Sequence, residues 1–170
     1  MACTIRYNNT LMNTLLIFCA QYLFLFVILG LAVAWLRSNK NVKLQFAIST
    51  VLAGIIALLL SRIAAKLYFD PRPFVREHVK PLISHAADNG FPSDHALLTM
   101  TLTAITYFFS RKTAAVMLLL TVLVGAARIA AKVHSPLDIG AGWILGIVGA
   151  LIGYYLVRWT LRKYQKNHKN

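Results

Sequence analysis

Along most of the chain the apolar residues come in long runs, not in the alternating or three-and-four spacing of a half-buried surface element. A helix needs about 20 mostly apolar residues to cross the hydrocarbon core of a bilayer. The runs over 15–36, 44–69, 96–109, 113–131 and 136–157 meet or approach that length. The second is interrupted only by Arg62 and Lys66 near its end, and the third extends back through Ser93. The pattern predicts an all-α fold: an integral membrane bundle of five transmembrane helices, forming a single membrane-embedded domain over 1–170. Residues 1–14 are expected to lie along the membrane surface. The stretch 70–92, rich in Pro, His and charge, is the one substantial connector, and 158–170 reads as a basic tail.

Composition agrees with lipid as a solvent. Apolar residues make up 58% of the chain and charged residues 14%, against roughly 45–50% and a quarter in soluble domains. The run before Ala32-Val33-Ala34 is longer than a signal-peptide core of about 7–15 residues. Basic residues mostly follow it, so a retained span with an outer N-terminus is expected. Cys3 and Cys19 are the only cysteines and support neither a disulfide framework nor a thiolate metal site.

Lys and Arg total 18 against 5 Asp and Glu, a formal charge of +13. This excludes a conventional acidic soluble enzyme and argues against a carboxylate-bound metal centre. A basic balance suits nucleic acid or anionic lipid, and the apolar runs select the bilayer, with no nucleic-acid partner. Arg37, Lys40, Lys43, Arg111, Lys112, Arg158, Arg162, Lys163, Lys166 and Lys169 fall on one side of a five-span bundle. Positive residues mark the cytoplasmic face. The 70–92 connector and the turn at 132–135 are then expected to face outward.

The remaining polar residues gather at span ends on that outward face. Lys66 and Arg72 stand where the second span ends, and Ser93, Asp94 and His95 where the third begins. Arg128 and Lys132 close the fourth; His134 and Asp138 open the fifth. Each cluster has a plain structural reading. Asp70-Pro71-Arg72-Pro73 stops a helix, Arg62 and Lys66 share a helix face and can snorkel, and Ser93 reads as an N-cap. Ser135-Pro136-Leu137-Asp138 reads as a helix start in which Asp138 is a capping-box partner. Asp138 can alternatively accept a proton bond from His134, four residues earlier. Arg76, His78, Lys80, His85 and Lys132 read first as solvated loop charge, with attraction of a diphosphate headgroup as the alternative. Charges beside spans are costly, and both helix starts would point N–H groups into a shared pocket, an arrangement that suits phosphate.

Lys66 to Pro73, Pro92 to His95, and Arg128-x5-His134-x3-Asp138 resemble the three signature motifs of the type 2 phosphatidic acid phosphatase superfamily. The resemblance covers about 45–155. The Phe91-Pro92-Ser93-Asp94-His95 and Pro71-Arg72-Pro73-Phe74 forms are most similar to undecaprenyl-diphosphate phosphatases of the bacitracin-resistance type. The chain departs from the general pattern in having five residues between Lys66 and Arg72, Ala127 before Arg128, and Asp94 in place of Gly.

The resemblance implies phosphoryl transfer through a phosphohistidine, with no cofactor and no metal. His134 would be the nucleophile, Asp138 its orienting acid, and His95 the general acid. Lys66, Arg72, Arg128 and Ser93 would bind the phosphate oxygens. Asp94 and Arg62 receive no firm role. The implied partner is a membrane lipid diphosphate, cleaved to undecaprenyl phosphate and inorganic phosphate, which would recycle a cell-wall lipid carrier. Phosphatidylglycerophosphate, phosphatidic acid or a lipid A phosphate are alternative substrates, and a non-catalytic anion-binding membrane protein is a rival of another class. The implied location is a bacterial plasma membrane with the site outside. Oligomeric state is left open.

Overall fold

The computed structural model describes residues 10–167. Their regular structure is helical: α1 (Thr10–Gln21), α2 (Leu23–Arg37), α3 (Lys40–Leu67), the single turn α4 (Pro73–Arg76), α5 (Asp94–Tyr107), α6 (Arg111–Ala130) and α7 (Pro136–Asn167). Outside these helices, Pro71 and Asn89 form an isolated antiparallel bridge within the long connector.

Several boundaries differ from the sequence reading. The first run is divided, since α1 and α2 meet at Tyr22 with a bend of 45°. Residues 1–9 of the expected surface segment lie outside the described residues, while 10–14 already belong to α1. Residues 158–167 of the expected basic tail continue α7 without a break, and 168–170 lie outside the described residues. Residues 158–167 contain no Gly or Pro and several strong helix formers, so nothing there stops it.

Four of the five expected spans meet the length and apolarity of a crossing. By length and apolarity α3, α6 and α7 can each cross a bilayer, and the bent α1–α2 pair makes a fourth. α5 has 14 residues, about 21 Å of helix, against a hydrocarbon core of about 30 Å. It packs against α2, α3, α6 and α7 and is buried over most of its surface. The buried threonine hydroxyls of α5 are paired within the helix or with its neighbour α6. Thr101 and Thr106 donate to the Leu97 and Leu102 carbonyls at 2.7 Å each. Thr103 pairs with Thr121 of α6 at 3.0 Å.

Small residues on α7 permit this packing. Gly146 lies so close to α5 that a Cβ would stand 2.9 Å from the Leu97 carbonyl oxygen. A Cβ at Gly153 would stand 2.7 Å from the Ala53 amide nitrogen of α3. Backbones that approach this closely gain dispersion contacts, which drive helix association where lipid removes the hydrophobic incentive. The C-terminal ends of α3 and α6 and the starts of α5 and α7 meet at one end of the bundle, with the 77–93 connector folded over them.

Candidate active site

His134 sits in the short turn between α6 and α7, and its side chain is 4% exposed. Its two ring nitrogens face chemically opposite partners. Nδ1 is 3.0 Å from the Gly90 carbonyl oxygen and 3.4 Å from Asp138 Oδ2. Nε2 is 3.1 Å from Arg128 Nη2 and 3.4 Å from Arg72 Nη1. A carbonyl only accepts and a guanidinium only donates. Nδ1 therefore carries the proton, and the Nε2 lone pair faces the two arginines. Burial is the main influence that pushes the imidazole below its ordinary pKa. Asp138 opposes that shift, while Arg128 and Arg72 add to it.

The start of α7 supplies the support. Asp138 Oδ2 accepts the Ser135 N–H at 2.7 Å, and Ser135 Oγ accepts the Asp138 N–H at 3.2 Å. The capping box and the histidine contact thus coexist on one carboxylate. Ser135 Oγ also donates to Asp70 Oδ2 at 2.9 Å, which joins the end of α3 to the start of α7. Arg72, 5% exposed, is fixed on several edges. Nη1 donates to the Val133 carbonyl at 2.9 Å, and Nε donates to Asp88 Oδ1 at 2.7 Å. That bond to Arg72 holds the Asp88 carboxyl below its usual range. Arg128, 4% exposed, donates from Nη1 to the Ala20 carbonyl at 3.1 Å, beside the α1–α2 break.

These groups border a cavity of about 350 Å³. The structure brings Arg72, Asp94, His95, Arg128 and His134 to it, with Arg62 on the α3 side. Lys66 is not among the lining residues and is exposed one turn further along α3. Ser93 is the N-cap of α5 by position, yet its hydroxyl makes no capping bond. That Oγ is buried without a partner among the described residues, while the Ser93 N–H donates to the Asp138 carbonyl at 3.1 Å. His95 borders the cavity and meets Phe24 of α2 edge-on, ring centroids 5.1 Å apart.

The connector contributes further residues, of which the sequence reading names His85 but not Asn89 or Gly90. His85 also borders the cavity, with its ring centroid 6.2 Å from that of His134. Partial burial lowers its pKa, and Arg72, Arg128 and His134 lower it further. Asn89 clasps the end of α3: its Nδ2 donates to the Ala65 and Tyr68 carbonyls at 3.1 and 3.0 Å. Its Oδ1 accepts the Asp70 and Phe91 N–H groups, both at 3.0 Å. This clasp sets the position of Gly90, whose carbonyl fixes the His134 tautomer. The only sequence signal was the Asn-Gly pair, a turn marker. Among the described residues no group of three or more His, Cys, Asp or Glu side chains is arranged to hold a metal ion.

A helical bundle with membrane-length helices, and with two buried guanidinium groups beside an imidazole lone pair at one end, is a membrane protein whose cavity suits an anion. The chain belongs to the PAP2 superfamily, whose family model matches residues 43–162. It is 38% identical over 162 residues to a Bacillus licheniformis protein named bacitracin transport permease protein BcrC, covering 94% of this chain and 77% of that one. It is 28% identical over 156 residues to the undecaprenyl-diphosphatase BcrC of Bacillus subtilis (strain 168), covering 92% and 79%. The fold is shared with the crystal structure of a PAP2-type phosphatidylglycerolphosphate phosphatase from Bacillus subtilis, with a TM-score of 0.62 and 17% identity. That match covers 91% of this chain and 79% of the solved one.

Proposed function

We propose that this chain is a lipid phosphatase that hydrolyses undecaprenyl diphosphate to undecaprenyl phosphate and inorganic phosphate through a phosphohistidine at His134. The observation that carries the reading is the fixed tautomer: the Nε2 lone pair points between two buried guanidinium groups. An anion-binding or conducting protein needs the cations alone. A nucleophile also needs its second nitrogen held by an acceptor.

In the first step the Nε2 lone pair attacks the terminal phosphorus. The bond from that phosphorus to the bridging oxygen breaks, and His95 gives its proton to the departing lipid phosphate. Arg72 and Arg128 turn from the lone pair to the equatorial oxygens, joined by Arg62 and the orphaned Ser93 hydroxyl. Asp138 and the Gly90 carbonyl stabilise the positive ring. In the second step water attacks phosphorus, the P–N bond breaks, and its electron pair returns to Nε2. The water proton passes to His95, which restores the starting state.

The chain is read as one membrane-embedded unit in a bacterial plasma membrane. The bent α1–α2 pair, α3, α5, α6 and α7 make five crossings, with the extended stretch before Asp94 completing the short α5. The cavity then opens to the outer face, where a lipid diphosphate can enter with its tail still in the bilayer.

The test is phosphate release by purified protein, with chelator present, from undecaprenyl diphosphate, phosphatidylglycerophosphate and phosphatidic acid. Undecaprenyl diphosphate is expected to give the highest kcat/KM, and His134→Ala a loss of at least about 10³-fold. Phosphate release by His134→Ala at the wild-type rate would remove the nucleophile. A higher kcat/KM for either of the other lipids would change the substrate.

A further inference from the structure

A second cavity lies at the opposite end of the bundle. It measures about 490 Å³ and opens between the first turns of α3 and the last turns of α7. Asn41, Gln45, Arg158, Arg162 and Gln165 supply its polar walls, and Leu44, Ile48 and Leu161 its apolar ones. From Asn41 to Arg62, which borders the first cavity, α3 rises about 30 Å, the thickness of a bilayer's hydrocarbon core. One cavity therefore sits at each membrane boundary.

The charge of the second cavity is uncompensated. The chain's acids are Asp70, Glu77, Asp88, Asp94 and Asp138. Asp88 and Asp94 border the His134 cavity, Asp138 contacts His134, Asp70 bonds to Ser135, and Glu77 pairs with Lys132. Neither Arg158 nor Arg162 has a carboxylate partner among the described residues. The two are four apart on α7 and share one helix face. Arg158 is held in place, donating from Nη1 to the Tyr154 hydroxyl at 3.1 Å, with its guanidinium 5.8 Å from the Tyr154 ring centre. A held arginine, a second beside it, three side-chain amides and an apolar wall facing the bilayer describe a receptor for an amphiphilic anion. Basic pockets between helices at a membrane boundary take up anionic headgroups.

We propose that this cavity binds one anionic phospholipid of the leaflet opposite the His134 site. Its phosphodiester lies between Arg158 and Arg162, and its acyl chains run down Leu44 and Ile48. Orientation by positive charge alone needs no cavity and treats every lysine and arginine on that face alike. The proposal differs because it makes two arginines special. It rests on the bilayer placement given above and not on the phosphatase reading.

The experiment measures lipid retained by full-length protein in neutral detergent after washing, by native mass spectrometry, with phosphatidylglycerol, phosphatidylcholine or inorganic phosphate added. One phosphatidylglycerol per chain is expected, with no retained phosphatidylcholine and no competition from phosphate. Arg158→Gln/Arg162→Gln is expected to weaken retention at least tenfold. Arg111→Gln/Lys112→Gln removes the same charge from the same face outside the cavity, and is expected to weaken it less than twofold. Equal loss in both double variants overturns the site in favour of diffuse charge, and equal retention of phosphatidylcholine overturns its selectivity for anions. Turnover of a short-chain diphosphate in neutral micelles is expected to match wild type in both variants. This separates failure of the lipid site from failure of the phosphatase.

Discussion

At the scale of single residues, the proposed mechanism makes the charge state of His134 decisive, because only the neutral ring has a lone pair to attack with. Burial and two arginines lower its pKa from 6.5, so the neutral form persists below that pH. The acidic limb of kcat/KM is expected below pH 6.5 in a steady-state pH profile. Asp138 is the neighbour that raises this pKa, so Asp138→Asn is expected to move the limb to still lower pH. Its rate loss should be about 10- to 100-fold, smaller than the roughly 10⁴-fold seen where one acid alone holds a catalytic histidine. Here the Gly90 carbonyl shares that task. The phosphate-binding cations divide similarly. Arg62 and Lys66 share a face of α3, and spacing alone does not choose between them. Arg62 borders the cavity and Lys66 does not. Arg62→Ala is expected to lower kcat/KM at least tenfold and Lys66→Ala less than threefold.

At the scale of elements, α7 sets the position of α5 and hence of His95. A Cβ at Gly142 would stand 2.9 Å from the Ser93 carbonyl oxygen and 3.0 Å from the Leu97 amide nitrogen. Both are backbone atoms with little freedom to give way, so Gly142→Ala must push the first turn of α5. Overpacking of this kind costs about 1–3 kcal/mol, and the loss of activity should exceed what the loss of folded protein explains. Gly140, two residues earlier on the same helix, has nothing within 4 Å of its would-be Cβ. Gly140→Ala is expected to leave activity unchanged and to raise stability by up to about 1 kcal/mol through helix propensity. Thermal unfolding in detergent beside turnover checks both. The Ser-Pro-x-Asp start was legible because it is a local pattern with a local cause. The Asn89 clasp and the Gly90 carbonyl were not, since a main-chain acceptor has no residue type to betray it. The enclosure of α5 by other helices was illegible for a related reason. Its apolar run resembles a lipid-facing span, and only the surrounding helices reveal that protein, not lipid, covers its threonines.

At the scale of the whole molecule, the chain is electrically polarised along the bundle. All five acids fall between positions 70 and 138, at or near the His134 end, while the other end carries cations without acids. Lys and Arg concentrated at that other end are expected to orient it toward the cytoplasm. In the proposed orientation the His134 cavity lies on the outer side, where a substrate anchored by its tail would reach it. A cysteine accessibility experiment decides this. In a Cys3→Ser/Cys19→Ser background, Ala86→Cys probes the connector over the His134 cavity and Gln165→Cys probes the second cavity. Both positions are exposed in the structure. An impermeant maleimide applied to intact cells is expected to label the Ala86 variant and spare the Gln165 variant, and detergent should then expose both. The reverse pattern would invert the bundle. It would place the phosphate cavity in the cytoplasm and require the lipid diphosphate to be cleaved on the inner leaflet. Labelling of both in intact cells would mean that the two cavities share one side. That cannot hold if α3 spans the roughly 30 Å between them.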